Sequence, residues 1–267
     1  MTAPVYIAPL DGVKGGTCGE DRISLVLAGD EGHHAATVRR TRVGERIDVV
    51  DGEGTRARCE VTATARGSLE LRVEEVVTEP APRTSITLVQ ALAKGGRDEQ
   101  AVETATEYGA MGFIPWQSAR TIVNWRGKEE KGRGRWEATA RAAAKQSRRA
   151  WIPTVSDVHT TKQLAAMLRS EVSKGGRVFV CHEEGTLPLA ESLIAGSLNV
   201  TGSQQPDACY VVVGPEGGIT PEELEAFRDL GAEIVLLAPQ VLRSATAGPY
   251  AIATLAAIAT LAAVGSV

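Results

Sequence analysis

The chain has 267 residues, of which 43% are hydrophobic and 23% charged, so it carries enough apolar material for one large or two modest globular domains. Its net charge of -4 gives no overall attraction to nucleic acid or to anionic membranes, so binding of either needs a local basic patch. The four cysteines, Cys18, Cys59, Cys181 and Cys209, lack CxxC spacing and the four histidines complete no zinc pattern, which predicts reduced thiols, a cytoplasmic protein and no metal site.

The first 78 residues predict a small β-barrel domain. Short segments in which apolar and polar residues alternate are separated by turn sequences rich in Gly, Asp and Ser. Pro80 and Pro82 then interrupt the pattern, so we predict a domain over 1–78 and a linker over 79–84. The predicted strands of this domain lie at 46–50, 57–62 and 69–73.

The remainder, 85–267, alternates apolar strands with longer helical segments, which predicts an α/β domain with a mainly parallel sheet. The longest apolar run, 251–264, is too short to span a bilayer, so we expect a buried or interface helix and no membrane association. Strands are predicted at 85–92, 113–115, 177–181, 210–213 and 233–237, and helices at 98–108, 135–149, from 221 onward, and at 244–264.

The end of the strand 210–213 carries the most informative pattern. This β-branched strand stops in a Gly-Pro-Glu-Gly-Gly turn at 214–218, and Thr220 as N-cap, Pro221 as N1 and Glu223 as N3 then begin a helix. Strand-to-helix turns are where α/β proteins bind ligands, and glycines leave the main chain accessible to a flat heterocycle. The alternative is a tight connection with an exposed glutamate.

A second strand-to-helix loop follows at 238–243. Loops after neighbouring parallel strands lie at the same sheet edge, so this loop and the 214–218 turn are predicted to enclose a small molecule between their backbones. Arg243 would lie at the mouth of that pocket. A cation near a helix N-terminus is mildly unfavourable, which favours a functional role over that of an ordinary surface arginine.

The stretch 120–149 holds ten basic residues against three acidic ones. Trp125, Trp136 and Trp151 lie in or beside it and offer flat faces for base stacking, so RNA is the natural partner. The glycine-containing segment 124–134 is predicted to be a mobile loop that orders on RNA. The alternative is a solvated helix with buried tryptophan anchors.

Further basic residues follow strands or lie on the predicted barrel, where RNA binding and simple solubility are the two interpretations. The glycine fingerprints of dinucleotide-binding proteins and the motifs of NTPases and hydrolases are absent from the sequence. The predicted RNA-binding residues are Arg39, Arg40, Lys94, Arg97, Arg120, Arg135 and Arg148.

Taken together, these residues resemble the RsmE family of ribosomal RNA uridine N3-methyltransferases, members of the SPOUT class. The resemblance covers nearly the whole chain. It rests on residues 33–34, 38–40, 44, 51–54, 94–95, 107, 109, 114–115, 120, 135–136, 146–148, 153, 182–183, 214–218, 242–243 and 246–247.

The resemblance implies a PUA-like, RNA-binding barrel over 1–78 and a SPOUT α/β domain over 85–267 with a deep trefoil knot. It also implies S-adenosylmethionine as cofactor, a homodimer, and 16S ribosomal RNA within the small subunit as partner. We expect Arg243 to stabilise the uracil anion and Glu216 to help place the donor or the base. The expected cofactor-binding residues are Gly214, Pro215, Glu216, Gly218, Leu237, Leu242, Arg243 and Thr246.

Three positions depart from the family pattern. Ala245 replaces the usual Glu, so no carboxylate at 245 accepts the proton, while Thr104 and Lys145 replace Lys and Glu. Ala245 keeps open a different class of function, a non-catalytic RNA-binding assembly factor. Another SPOUT target, such as a transfer RNA or a ribose hydroxyl, and a nicotinamide oxidoreductase are the remaining alternatives.

Overall fold

The computed structural model of the chain describes residues 3–11, 13, 23–198 and 208–264. Two compact units form, one from Met1–Ala81 with Ala144–Ile152 and the other from Pro82–Ala143 with Pro153–Val267. The first unit therefore includes a segment that no sequence pattern assigned to it. The domain limits at 78 and 85 stay predictions. Cys18 lies outside the described residues.

The first unit is built on a five-stranded sheet in the order β1-β3-β4-β5-β2, in which β1 pairs parallel to β3 and the other pairs are antiparallel. Alternation along β4 and β5 places one face, including Val61 and Leu71, in an apolar core. All three strands predicted here are confirmed. The elements are β1 (Val5–Ile7), β2 (Ser24–Leu27), α1 (Gly29–His33), a π-helix (His34–Val38), β3 (Arg46–Val50), β4 (Thr55–Ala65) and β5 (Ser68–Thr78).

The second unit contains a parallel sheet in the order β11-β13-β10-β12-β6-β7-β8, with β9 also paired to β7. Its strands are β6 (Ser85–Ala91), β7 (Gly112–Gln117), β8 (Thr154–Val155), β9 (His159–Thr160), β10 (Arg177–Cys181), β11 (Leu187–Pro188), β12 (Ala208–Val213) and β13 (Glu233–Leu236). Its helices are α2 (Arg97–Glu107), α3 (Glu129–Gln146), α4 (Thr161–Ser173), α5 (Leu189–Leu198), α6 (Pro221–Arg228) and α7 (Ser244–Val264). The last residues of α3, from Ala144, belong to the first unit.

The predicted α/β alternation is confirmed, and the apolar strands are covered on both faces. Along β12, Val211 and Val213 belong to one buried cluster while Val212 belongs to the cluster on the opposite face. A strand buried on both sides explains the uninterrupted run of β-branched residues. The carboxyl ends of these parallel strands consequently share one sheet edge.

The basic segment differs from the prediction. The helix α3 begins at Glu129 rather than at 135 and ends at Gln146, so the predicted loop at 124–134 is wrong from Glu129 onward, while 124–128 are turn and coil. Trp125 is 4% and Trp136 0% exposed, and their rings meet edge to face at 5.5 Å, so neither is available for base stacking. Within the first unit, Trp151 donates from its ring nitrogen to the Glu79 carbonyl at 3.0 Å.

Gly132 provides the physical reason for this difference. A Cβ on Gly132 would lie 2.3 Å from the Trp125 ring, whereas one on Gly134 would have no atom within 4 Å. The glycine at 132 therefore permits close packing of α3 against an indole.

The two glycines give a matched pair of expected stability changes. We expect Gly132→Ala to lower the free energy of unfolding by about 1–3 kcal/mol because it overpacks a buried contact. Gly134→Ala should raise it by up to about 1 kcal/mol because alanine favours an exposed helix position. Urea unfolding of both variants measures the difference. Equal changes for the two substitutions would refute this packing.

The helix α7 is a core element of the second unit. By length and composition alone its stretch Ser244–Leu261 is long and apolar enough to cross a membrane, with a mean hydropathy of 1.3. Ala251, Ile252 and Leu255 are nevertheless buried in the unit's apolar core, where α7 packs on α2, β6 and β12. Burial in this core accounts for the apolar residues on the inward face of α7, and 44% of the stretch is buried.

Candidate functional site

Three loops at the carboxyl edge of the parallel sheet line one cavity of about 980 Å³ in the second unit. They follow β10, β12 and β13, and β10 lies between the other two strands. The two loops that the sequence predicted to face each other, 214–218 and 238–243, therefore line the same cavity. The predicted cofactor-binding residues that line it are Gly214, Pro215, Glu216, Gly218, Leu237, Leu242 and Arg243.

The glycines of the turn at 214–218 allow a backbone conformation and close contacts that a side chain would disturb. Gly218 has φ +77°, a left-handed conformation that glycine adopts without strain, and its N–H donates to the Pro215 carbonyl at 2.9 Å. A Cβ on Gly214 would lie 2.6 Å from Ile219, and one on Gly217 would lie 3.1 Å from the Cβ of Arg120. These glycines let the backbone fold tightly against its neighbours.

Two of the predicted RNA-binding arginines contact this turn. Arg97 Nη1 donates to Glu216 Oε1 at 2.7 Å, and Arg120 Nη1 donates to the Gly217 carbonyl at 3.0 Å. Burial acts to raise the pKa of Glu216, but the backbone hydrogen bond of Glu216 and the Arg97 guanidinium together bring that pKa below its ordinary value. Glu216 is therefore an ionised, paired carboxylate at neutral pH.

Glu223 links three segments around the cavity. The predicted capping box is confirmed, since Thr220 accepts from the Glu223 N–H and the Glu223 carboxylate accepts from the Thr220 N–H. The same carboxylate, on a residue 5% exposed, also accepts from the Ala119 N–H at 2.8 Å and from the Thr161 hydroxyl at 2.7 Å. This residue thereby fixes the loop that presents Arg120, a role that the capping pattern did not predict.

The backbone of Arg243 is fixed at the start of α7. Its carbonyl accepts from the Thr246 and Ala247 N–H groups, both at 2.9 Å, and from the Thr246 hydroxyl at 3.1 Å. Thr246, predicted to bind cofactor, thus supports Arg243 and is not among the cavity-lining residues. The Arg243 side chain is exposed and, among the described residues, pairs with no carboxylate. An unpaired guanidinium near a helix N-terminus is available to an anionic group.

Gln90 supports the same helix from inside the sheet. It is 0% exposed, near the end of β6, and its side-chain amide donates to the Ser244 hydroxyl at 3.1 Å and to the Ala91 carbonyl at 3.2 Å. Ser244 lines the cavity. A buried amide that bonds to a cavity residue restricts where α7 begins.

The loop after β10 was not assigned to the site by the sequence patterns. His182, Glu183 and Glu184 line the cavity, and His182 Nδ1 accepts from the Glu184 N–H at 3.2 Å. The sequence did contain a signal for this loop, because it also follows a predicted strand of the parallel sheet. Only the strand order, with β10 between β12 and β13, shows that the loop joins the other two.

The remaining predicted RNA-binding residues lie elsewhere. Lys94 is exposed, and Arg135 on α3 pairs with Glu99 at 3.2 Å, so neither is among the cavity-lining residues. Arg39, Arg40 and Arg148 belong to the first unit and are all exposed. In the part of the chain that the structure describes, no group of three His, Cys, Asp or Glu could hold a metal ion.

Comparison with known proteins identifies the family. An RNA methyltransferase domain matches residues 79–256, and an RNA methyltransferase PUA domain matches residues 27–74. The chain is 47% identical to the ribosomal RNA small subunit methyltransferase E of Mycobacterium bovis over 85% of this chain and 84% of that protein. The chain belongs to this RNA methyltransferase family.

Two other members show how widely the family pattern extends. This methyltransferase family member is 30% identical to the ribosomal RNA small subunit methyltransferase E of Bacillus subtilis, over 88% of the chain and 91% of the relative. A crystal structure of the Neisseria gonorrhoeae methyltransferase E bound to S-adenosyl methionine aligns with a TM-score of 0.77 at 22% identity, covering 96% of this chain and 98% of that one. The latter likeness shows a shared fold.

Residue 245 of this family member is an alanine, so its side chain cannot accept a proton. Ala245 is 7% exposed on α7. The described carboxylates that line the cavity are Glu183, Glu184 and Glu216, of which Glu216 is paired with Arg97 at 2.7 Å and Glu184 with Arg228 at 3.6 Å. The carboxylates among the described lining residues therefore belong to the loops after β10 and β12, and none belongs to α7.

Proposed function

We propose that the chain is an S-adenosylmethionine-dependent methyltransferase that methylates N3 of a uridine in 16S ribosomal RNA. One observation carries the proposal: two strand-to-helix loops and the loop between them line a single cavity in a chain of the RNA methyltransferase family. A cavity at the carboxyl edge of a parallel sheet is the usual ligand position in α/β proteins. The substrate is the small-subunit RNA named for the relatives.

The cavity lining fits S-adenosylmethionine. Leu237 and Leu242 offer apolar surface for a flat heterocycle, and the tight turn at 214–218 presents backbone donors and acceptors. The cofactor supplies an electrophilic methyl group on a sulfonium. Pro215 and Gly218 belong to the same turn, which Arg97 and Arg120 hold in place.

The acceptor nitrogen must lose its imide proton before or during methyl transfer. We assign to Arg243 the stabilisation of the resulting uracil anion, since its guanidinium lines the cavity and is unpaired among described residues. We assign to Glu216 a positioning role, because its carboxylate is bound by Arg97. N3 is occupied in a Watson-Crick pair, so the target uridine is unpaired or flipped out.

The finer architecture is part of the same proposal. It comprises a PUA-like barrel over 1–78, a linker over 79–84 and a SPOUT domain over 85–267. Lys94, Arg135 and the other predicted RNA-binding residues contact the RNA. The order β13-β10-β12 supports a knotted connection near the C-terminus. Exposed Tyr250 and Leu261 on α7 support a homodimer interface. Ribosome modification implies the cytoplasm as the location.

Calorimetry combined with methyl transfer tests the function. We expect S-adenosylmethionine to bind the purified chain, and labelled methyl to move from it to small-subunit RNA. A chain that binds the RNA but not S-adenosylmethionine would instead be the non-catalytic assembly factor that Ala245 keeps as an alternative. Transfer of the label to a ribose or to transfer RNA alone would contradict the uridine assignment.

A further inference from the structure

The first unit contains a small cationic cavity of about 150 Å³. Its lining includes Tyr6, His34, Arg39, Lys145 and Arg148, and the rest of its wall is uncharged. No carboxylate is among the described residues that line it. A cavity with several cations and no lining anion is suited to an anionic ligand.

One of these cations is already compensated. Lys145 Nζ lies 2.6 Å from Glu31 Oε2, with the two side chains 19% and 18% exposed, and 4.9 Å from the centroid of the Tyr6 ring. Arg39 and Arg148 are exposed and, within the described ranges, neither guanidinium forms an ion pair. The cavity therefore presents two uncompensated guanidinium groups.

Arg148 occupies a position that favours glycine. At the end of α3 the Arg148 N–H donates to the Lys145 carbonyl at 3.2 Å and the Arg149 N–H to the Ala144 carbonyl at 2.9 Å, the hydrogen bonds of a Schellman motif. Arg148 is the left-handed residue of that motif, with φ +58°. An arginine is less stable than glycine in this conformation, and such strain is typical of functional positions.

A buried arginine holds this strained residue. Arg56, 8% exposed, donates from Nη2 to the Arg148 carbonyl at 2.9 Å. Its other nitrogens bind Glu79 at 2.6 Å and Asp48 at 3.0 Å, so the guanidinium has one fixed orientation. Arg56 thereby fixes the backbone from which Arg148 projects.

We propose that this cavity binds one phosphate group of the RNA backbone, with Arg39 and Arg148 as its ligands and Arg56 as a positioning residue. The inference rests on the proposed function, since it assigns a phosphate of the same RNA. Guanidinium groups match phosphate oxygens through two parallel hydrogen bonds. Lys145, which is bound by Glu31, forms the wall of the site.

Arg148→Gly separates stability from binding, because glycine relaxes the backbone while removing the guanidinium. We expect an equal or higher melting temperature and about tenfold weaker binding of transcribed small-subunit RNA in a filter assay. The slope of log affinity against log salt should fall by about one unit, as for one lost phosphate contact. The double variant Arg39→Ala with Arg148→Gly should have a slope about one unit below that of the wild type, as the single variant does, because both residues bind the same phosphate.

The control is Arg58→Ala, because Arg58 lies on the same sheet, is 54% exposed and pairs with Glu75. It should leave both the affinity and the slope unchanged. Arg56→Lys should weaken RNA binding when Arg148 is present. In the Arg148→Gly background it should cause no further loss of RNA affinity, because Arg56 acts through Arg148. A purely structural role of Arg56 would weaken RNA binding in both backgrounds.

Two results would overturn the phosphate site. One is that Arg148→Gly binds RNA with the affinity and the salt dependence of the wild type, in a preparation whose wild type methylates RNA. The other is binding of inorganic phosphate that Arg148→Gly abolishes while saturating phosphate leaves RNA affinity unchanged relative to chloride at equal ionic strength, which would identify a free phosphate as the ligand. Failure of the wild type to bind S-adenosylmethionine would instead refute the proposed function and leave the RNA-binding comparison intact.

Discussion

Replacing Arg243 with alanine is expected to slow methyl transfer about 10²–10³-fold while leaving the affinity for S-adenosylmethionine nearly unchanged. A fixed donor that stabilises developing negative charge contributes on this scale. The main-chain carbonyl of Arg243 carries three hydrogen bonds, from Thr246 and Ala247, and none of them depends on its side chain. The substitution therefore removes the guanidinium without displacing α7. Single-turnover transfer and calorimetry measure the two quantities separately.

Two further variants make this test specific. Arg243→Lys keeps the charge but loses the planar fork, so we expect an intermediate rate. Arg169→Ala, which removes an exposed arginine of α4 outside the cavity lining, should keep the wild-type rate. Wild-type transfer by Arg243→Ala would exclude Arg243 from the chemistry. Loss of S-adenosylmethionine binding by this variant would instead support the cofactor-binding role that the family resemblance implies for Arg243.

Gly218→Val is expected to weaken S-adenosylmethionine binding by about 10- to 100-fold. Valine at φ +77° is strained by about 1–2 kcal/mol, and relief of that strain moves the turn that lines the cavity. A Cβ at Gly218 meets only Arg120 Nη1, at 3.6 Å, so backbone conformation rather than a clash causes the effect. Calorimetry measures the loss of affinity.

Gly175→Val is the matched control. Gly175 follows α4 in the same unit, has φ +94°, and a Cβ there would meet no atom within 4 Å. We expect both variants to lose similar stability in thermal unfolding, whereas only Gly218→Val loses cofactor affinity. If both variants bind the cofactor like the wild type, the turn at 214–218 is not part of the cofactor site.

Apolar periodicity and helix-capping patterns predicted much of the fold because each depends only on a short stretch of sequence. The strand Arg177–Cys181 and the helix Ser244–Val264 have the predicted bounds, and Thr220 caps α6 as expected. Apolar periodicity and capping depend on neighbours within a few residues, which a sequence shows directly.

Features that depend on distant contacts were missed. The glycines of 124–134 indicated a loop, but Gly132 is required by a tryptophan packed against α3. The loop after β10 joins the cavity only because β10 lies between β12 and β13, an order that no periodicity encodes. The segment Ala144–Ile152 belongs to the first unit through Arg56 and Trp151, whose contacts span long sequence separations.

The paired carboxylate was likewise invisible in the sequence. Glu216 is the only charged residue of its turn in the sequence, yet Arg97, more than a hundred residues earlier, binds it. Both side chains are more than a third exposed, 47% for Arg97 and 36% for Glu216, so the pair fixes geometry more than it stabilises the fold. Spatial pairing of this kind needs the three-dimensional arrangement of two loops.

Mass mapping of methyl groups tests the central claim most directly. Unmodified small-subunit ribosomal RNA, incubated with the purified chain and S-adenosylmethionine, should gain one methyl on N3 of a single uridine, and Arg243→Ala should not add it at a comparable rate. A methyl group on any other atom would contradict the account. So would the absence of a methyl group when the chain binds both the RNA and the cofactor.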